Sequence, residues 1–190
     1  MTVGHAVKSL FGHLLRGVHA GDEKLAGNHA DGWRTLKLES PAFSQGEAIP
    51  RRYSQEGENI SPELHWDAAP EGTQELVLLC EDPDAPFPEP FLHWMAFGIP
   101  AQVAELPAGV PAMPKAGFGM MRQGKNSAKT DGYTGPMPPV GHGVHHYHFQ
   151  LFALDRKLAF GPAPNREELA QAMAGHVLAQ GELVGTYERV

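Results

Sequence analysis

Two stretches of this chain carry carboxylates, histidines and a tyrosine at spacings suited to holding a small polar ligand. The first is Asp82-Pro83-Asp84-Ala85-Pro86, followed by His93-Trp94. The second is Gly132-Tyr133-Thr134-Gly135-Pro136-Met137-Pro138-Pro139, running into Gly141-His142-Gly143-Val144-His145-His146-Tyr147. In both, prolines fix φ and remove slack, while glycines let the backbone approach closely. Each loop adjoins an apolar run that reads as a strand, so rigid turns from distant parts of the chain can share one pocket. Strand geometry puts His145, Tyr147 and Phe149 on one face and His146, His148 and Gln150 on the other. The same alternation puts His93, Met95 and Phe97 on a common face. An imidazole and a phenol hydroxyl on one wall can both donate to a single anion.

Other chemistries fit these residues less well. His93, His142 and His145 with Asp82 or Asp84 are metal-ligand types. No His-x-His or His-x-x-x-His pair joins them, and His146-x-His148 points away from His145. A hydrolase using Asp82/Asp84 with His93/His145, with or without a metal, is the enzyme alternative, but no Gly-x-Ser-x-Gly elbow supplies a nucleophile. Neither a Walker loop nor a Gly-x-Gly-x-x-Gly turn is present for a nucleotide cofactor. Ala85-Pro86 and Glu89-Pro90 are the bonds where a cis peptide would fall, trans being the default.

The elements that must position these loops have a β texture. From Trp33 to Asp155 short apolar runs alternate with Pro- and Gly-rich breaks, at 36–38, 48–53, 64–66, 76–80, 91–99 and 146–154. This pattern predicts antiparallel sheets packed as a sandwich. A helix is expected near the C-terminus, capped by Asn165 with Glu168 completing a capping box, stopped by Gly181, and carrying Leu169, Met173, His176 and Val177 inward. Residues 182–190 read as a last strand. Val7, Leu10, Phe11, Leu14, Leu15 and Val18 fall on one helical face, predicting an amphipathic N-terminal helix that packs on the domain or on a second subunit. His19 to Gly32 reads as a linker, so the division is 1–32 and a domain over 33–190.

With 15 basic and 22 acidic residues, the net charge is -7. That leaves no electrostatic footprint for nucleic acid or an anionic membrane surface, and any bound anion must be held locally. The single cysteine, Cys80, lies in an apolar strand-like run and reads as an inert buried thiol. Lys8, Ser9, His13 and Arg16 interrupt the N-terminal apolar residues, and no stretch approaches the roughly 18 apolar residues of a membrane span. The expectation is a cytoplasmic protein.

Taken with Asn59-Ile60-Ser61-Pro62-Glu63-Leu64-His65-Trp66, these motifs in this order resemble the phosphatidylethanolamine-binding protein family, in its bacterial, Raf kinase inhibitor-like branch. The resemblance covers about Trp33 to Val190. It implies a β-sandwich with a few peripheral helices and a pocket for phosphate, phosphorylated head groups or similar small anions. By motif position it implies Asp82, Pro86, His93, Gly135, Pro139, His145 and Tyr147 as the pocket lining. His93 and the Tyr147 hydroxyl would be the donors, with Asp82 orienting a histidine or the loop. It further implies a non-catalytic module without metal or cofactor, regulation through protein partners such as kinases, and frequent homodimers. Met137 and His146 depart from the family pattern, the second standing where an arginine is common. Anion affinity is expected to weaken as pH rises through the range in which imidazoles lose their proton.

Overall fold

A computed structural model of the protein describes residues 12–15, 17–29, 34–115 and 120–190. Its strands are β1 (Arg34–Thr35), β2 (Leu38–Glu39), β3 (Leu64–Trp66), β4 (Glu75–Asp82), β5 (Phe91–Pro100), β6 (Glu105–Leu106), β7 (Arg122–Gln123), β8 (His145–Leu154) and β9 (Val177–Tyr187). The larger sheet runs in the order β1-β9-β8-β4-β5-β7, and β2-β3-β6 form a small second sheet. All neighbours are antiparallel except β1, which lies parallel to β9. The architecture is the mainly β, two-layer one that the sequence pattern predicts.

Both faces of the larger sheet are covered, which is why its central strands read as nearly continuous apolar runs. Along β4 the side chains alternate. Leu76, Leu78 and Cys80 join Trp94, Phe149 and Leu151 in the core between the sheets, against Leu38, Leu64 and Trp66 of the small one. Val77 and Leu79 face the other way, into a second core with Met95, Phe97 and Phe152 under Leu169 and Met173. Burying each such side chain contributes about 1.5–3 kcal/mol.

The last two residues of that second core belong to the helix α1 (Arg166–Met173). Its start is as expected: Asn165 Oδ1 accepts from the Glu168 amide and Glu168 Oε2 from the Asn165 amide, each at 2.9 Å. Its end is not. The helix stops at Met173, followed by Gly175 with φ +74°, a conformation that costs glycine little. His176 and Val177 therefore lie beyond the helix, and the last strand begins at Val177. Burial alternates with period two from Val177 to Tyr187, so a β pattern takes over where the helical stripe was read to continue. Gly181 is a strand residue, and a Cβ there would stand 2.4 Å from the Leu36 carbonyl oxygen. The glycine marks a close backbone approach.

Two other expectations change. Residues 48–53 do not form a strand: Ala48 makes an isolated bridge to Thr186, and Arg51–Tyr53 is a 3-10 turn. Within the stretch read as a linker, residues 20–28 are held to the domain. Glu81, fully buried on the outer face of β4, accepts from the Ala26 amide, from Gln150 Nε2 and from Arg166 Nε. Gln150 Oε1 accepts from the Gly27 amide, and the Ala20 amide bonds the Pro83 carbonyl. These contacts fasten the segment against the back of the larger sheet. The helix expected over residues 7–18 falls largely outside the described residues; within it, residues 12–15 are helical. Among the described residues no helix is long and apolar enough to cross a membrane.

Candidate anion-binding site

Antiparallel pairing places the end of β4 beside the start of β8, with Cys80 opposite Phe149 and Glu81 opposite His148. It also places Asp82 opposite Phe91 at the start of β5. Asp82, His93, His145 and Tyr147 meet at this corner of the sandwich, and each is at least 95% buried. His93 reaches it through a β-bulge. The β4–β5 register jumps from Cys80–Trp94 to Glu81–Leu92, leaving His93 as the extra residue. Bulges of this kind re-aim a side chain. Leu92, Met95 and Phe97 pack in the outer core, whereas the His93 ring lies 5.0 Å from the Tyr147 ring, edge to face, and 4.8 Å from Phe91. His93 thus does not share a face with Met95 and Phe97, because the unpaired residue resets the alternation.

The polar bonds fix each group. Asp82 Oδ1 accepts from the amides of Asp84 (2.9 Å) and Ala85 (3.0 Å), which shapes the first loop. Its Oδ2 accepts from His145 Nδ1 at 2.7 Å, with His93 Nε2 at 3.9 Å. Burial alone would raise this carboxyl, but the bonds from His145 and then His93 outweigh it and hold the group at about 2. Asp82 is therefore an anion at any ordinary pH. His93 Nδ1 donates to the Thr134 carbonyl at 2.7 Å, and the Thr134 amide returns a bond to the His93 carbonyl at 2.9 Å. That locks the imidazole with Nε2 on the cavity side. The Tyr147 hydroxyl makes no hydrogen bond to any described residue, although its oxygen is buried. Burial, and then the Asp82 charge, push the Tyr147 phenol well above its ordinary value, so it remains a neutral donor.

The cavity over these groups has a volume of about 500 Å³. Asp82, His93, His145 and Tyr147 form its polar end, and Ala85, Pro86, Phe91 and Pro139 its apolar sides. Phe87 and Met137, each about half exposed, stand at the mouth with Leu15 and Pro138. Of the seven residues expected to line a pocket, six are together on this cavity. Gly135 is not on its surface. It packs behind the second loop, where its amide bonds Asn59 Oδ1 at 2.7 Å and a Cβ would meet the Tyr53 carbonyl oxygen at 2.1 Å. The Asn59 motif is thus a brace: Asn59 takes a positive φ of 56° to present that oxygen, and Ser61 Oγ accepts from the Val110 amide.

Asp84, the other carboxylate of the first motif, turns out of the cavity and accepts from both the amide and Nδ1 of His146. His148 pairs with Glu182 across the strands. Both histidines lie off the site face, as the alternation along β8 predicts. Among the described residues no group of three or more His, Cys, Asp and Glu could hold a metal ion. The ring nitrogens of His145 and His142 are turned toward each other instead, at 2.6 Å. His142, read from the sequence only as a metal-ligand type, is a neighbour of the site, and Leu15, Phe87 and Phe91 are walls that the motifs did not mark. Phe91 could have been found, since it stands two residues before His93 on the same strand. No such signal marked Leu15.

The chain is similar in sequence and fold to known proteins. A UPF0098 protein of Pyrococcus horikoshii is 42% identical over 173 residues, covering 90% of this chain and 81% of the relative. The crystal structure of the phosphatidylethanolamine-binding protein homologue CT736 from Chlamydia trachomatis superposes with a TM-score of 0.74 at 36% identity, covering 83% of this chain and 99% of that one. That of Escherichia coli YbcL, described as a member of the mammalian PEBP family, gives 0.75 at 28% identity, covering 82% and 99%. The family profile described as phosphatidylethanolamine-binding protein matches residues 39–188, a span that holds both loops and the corner where Asp82, His93, His145 and Tyr147 meet; the chain belongs to that family.

Proposed function

We propose that the cavity binds a small anion, a phosphoryl group above all, with the Tyr147 hydroxyl and His93 Nε2 as its donors. The observation that carries this reading is the buried Tyr147 hydroxyl, which has no partner among the described residues and sits beside a histidine whose other nitrogen is already committed. Leaving such a donor unpaired costs about 1–3 kcal/mol, and an anion oxygen between the two groups would remove that cost. The low dielectric of the corner strengthens each bond to an anion, which offsets the chain's overall charge of -7. Both Asp82 oxygens are occupied by protein donors, so the carboxylate orients the wall and does not compete for the ligand.

The reading is of binding without turnover. The Tyr147 phenol is held neutral by burial and the Asp82 charge, Asp82 is bonded to His145, and Cys80 lies buried in the core between the sheets.

Tyr147→Phe separates function from stability. Removing an unpaired hydroxyl leaves the unfolding free energy unchanged or raises it by about 1 kcal/mol. Calorimetric titration with inorganic phosphate should show affinity reduced about tenfold, the loss of one hydrogen bond to a charged acceptor. Phosphate binding as tight in Tyr147→Phe as in the parent would remove the hydroxyl from the site.

A further inference from the structure

We infer that His142 is a positioning residue for this cavity, sharing one proton with His145 and thereby fastening residues 12–15 across the cavity mouth. Its meaning for ligand binding rests on the anion reading above, while its geometry stands apart from it. Three short contacts run in series. His145 Nδ1 lies 2.7 Å from Asp82 Oδ2, His145 Nε2 lies 2.6 Å from His142 Nδ1, and His142 Nε2 lies 2.8 Å from the Leu15 carbonyl oxygen.

Counting hydrogens decides the charge. A carboxylate and a carbonyl oxygen only accept, so both outer ring nitrogens carry hydrogen. Two inner lone pairs facing each other at 2.6 Å would repel, so one inner nitrogen carries a third hydrogen. Two neutral imidazoles hold only two N–H groups between them. The pair therefore carries one extra proton and one positive charge. Asp82 does not hold that proton, because its Oδ1 already accepts from two amides and its carboxyl lies at about 2. The extra proton balances the Asp82 charge and makes this wall of the cavity neutral toward an anion.

The far end of the series is a strap. Leu15 lines the cavity, and a Cβ on Gly12 would meet the Val140 carbonyl oxygen at 2.1 Å, which shows how closely the strap lies on the second loop. Beyond it the Ala20 amide bonds Pro83 of the first loop at 2.9 Å. Residues 12–15 and 17–20 thus clip together the two loops that form the site, through a series whose three contacts are all satisfied only while the histidine pair keeps its extra proton. When pH rises and that proton leaves, His142 has one hydrogen for two contacts: either the inner contact turns repulsive and frees the ring, or the hydrogen moves to the inner contact and Leu15 loses its donor, and in both cases the hold on the strap weakens.

The other titratable and charged groups around the pair are Asp82 from β4, His93 from β5, Tyr147 and the His146–Asp84 pair beside β8, and His13 on the strap. Beyond Gly141 stands Arg189, whose carbonyl accepts from the Gly141 amide and whose guanidinium holds Glu56 and the Pro138 carbonyl. Asp82 is bonded directly to the pair, and the Asp84 carboxylate is held by His146.

The test uses the full chain labelled with nitrogen-15. Ring spectra of the parent protein should show, at the acid end of the titration, three N–H hydrogens on the His142–His145 pair. Amide exchange at Val18 and Ala20, corrected for its intrinsic pH dependence, should accelerate about tenfold or more as that proton is lost, matching one bond to a charged group. In His142→Phe this pH dependence should vanish. Two N–H hydrogens at the acid end, exchange that is flat with pH in the parent, or a pH dependence unchanged in His142→Phe would each overturn the inference. The ring spectra decide it even where the variant fails to fold. Inorganic phosphate is titrated in parallel. A strap that titrates in a protein that binds no phosphate supports the shared proton and refutes the anion reading, whereas phosphate binding with flat strap exchange refutes the shared proton alone.

Discussion

Replacing Asp82 with Ala is expected to cost about 3–5 kcal/mol of stability in urea denaturation, the range for removing one partner of a buried charged pair. The reason lies in what the carboxylate leaves behind. It accepts from the amides of Asp84 and Ala85 and from His145 Nδ1, so Ala strands three donors at a corner where Asp82 itself is only 3% exposed. Asp82→Asn keeps the shape and loses the charge, and isolates the electrostatic part. Because the carboxyl is held at about 2 against an ordinary 3.8, its contribution is complete above 3.8 and is lost as pH falls through the interval between those values. The sign follows from linkage: in that interval the unfolded chain binds the proton and the folded protein does not. The parent should lose roughly 2 kcal/mol there that Asp82→Asn never had. A parent and an Asn variant with parallel acid unfolding would show that Asp82 is not paired in the folded protein.

His93→Ala should have the largest effect on binding. It removes the second donor at the polar end of the cavity together with the bond from Nδ1 to the Thr134 carbonyl. Calorimetry with inorganic phosphate should show affinity lower by about 10- to 100-fold, as for a charge-assisted hydrogen bond. Stability should fall by only about 1 kcal/mol, because the Thr134 amide still bonds the backbone carbonyl of residue 93. Phosphate affinity that survives His93→Ala would place the anion elsewhere. The direction with pH is also set: a protonated imidazole donates from Nε2 to the anion and a neutral one bonded through Nδ1 cannot, so affinity declines as pH rises. Sulfate keeps its charge across that range and separates the protein's proton from that of phosphate.

How far the site was legible in the sequence depended on whether a residue obeys its strand's period. β8 is a regular ten-residue strand, so His145 and Tyr147 could be placed together, and His146 and His148 apart, by alternation alone. β5 breaks the rule at His93. Period-two counting gave it the wrong face although it named the right residue, because a bulge leaves no local mark in a run of Leu, His, Trp and Met. Gly181 misled in a related way. Glycine after an amphipathic stripe reads as a helix stop, but here its missing side chain admits the backbone of Leu36. Gly135 belongs to the second loop by motif, whereas its role is close contact with Tyr53 behind the cavity wall. The contact between His142 and Leu15 was hidden because it joins residues 127 positions apart, and neither motif carries any trace of the strap.

The bulge and the strap also show how the corner is built. Asp82 organises the first loop through Oδ1 and the histidine wall through Oδ2. Asn59 braces the second loop from behind at the Gly135 amide, and Gln55, on the cavity, donates to the Gly135 carbonyl. Nearly every polar group there is bonded inward, which leaves the Tyr147 hydroxyl and the open side of His93 for a ligand.

The most direct measurement follows the ring resonances of His93 and Tyr147 in labelled protein as inorganic phosphate, and then sulfate, is added. Saturable shifts are expected at His93 and Tyr147, with the rings of His148 and His176, which face Glu182 and Asp155 elsewhere on the fold, left in place. Shifts confined to those outer histidines, or no saturable shift at His93 and Tyr147 at any phosphate concentration, would contradict anion binding at this cavity.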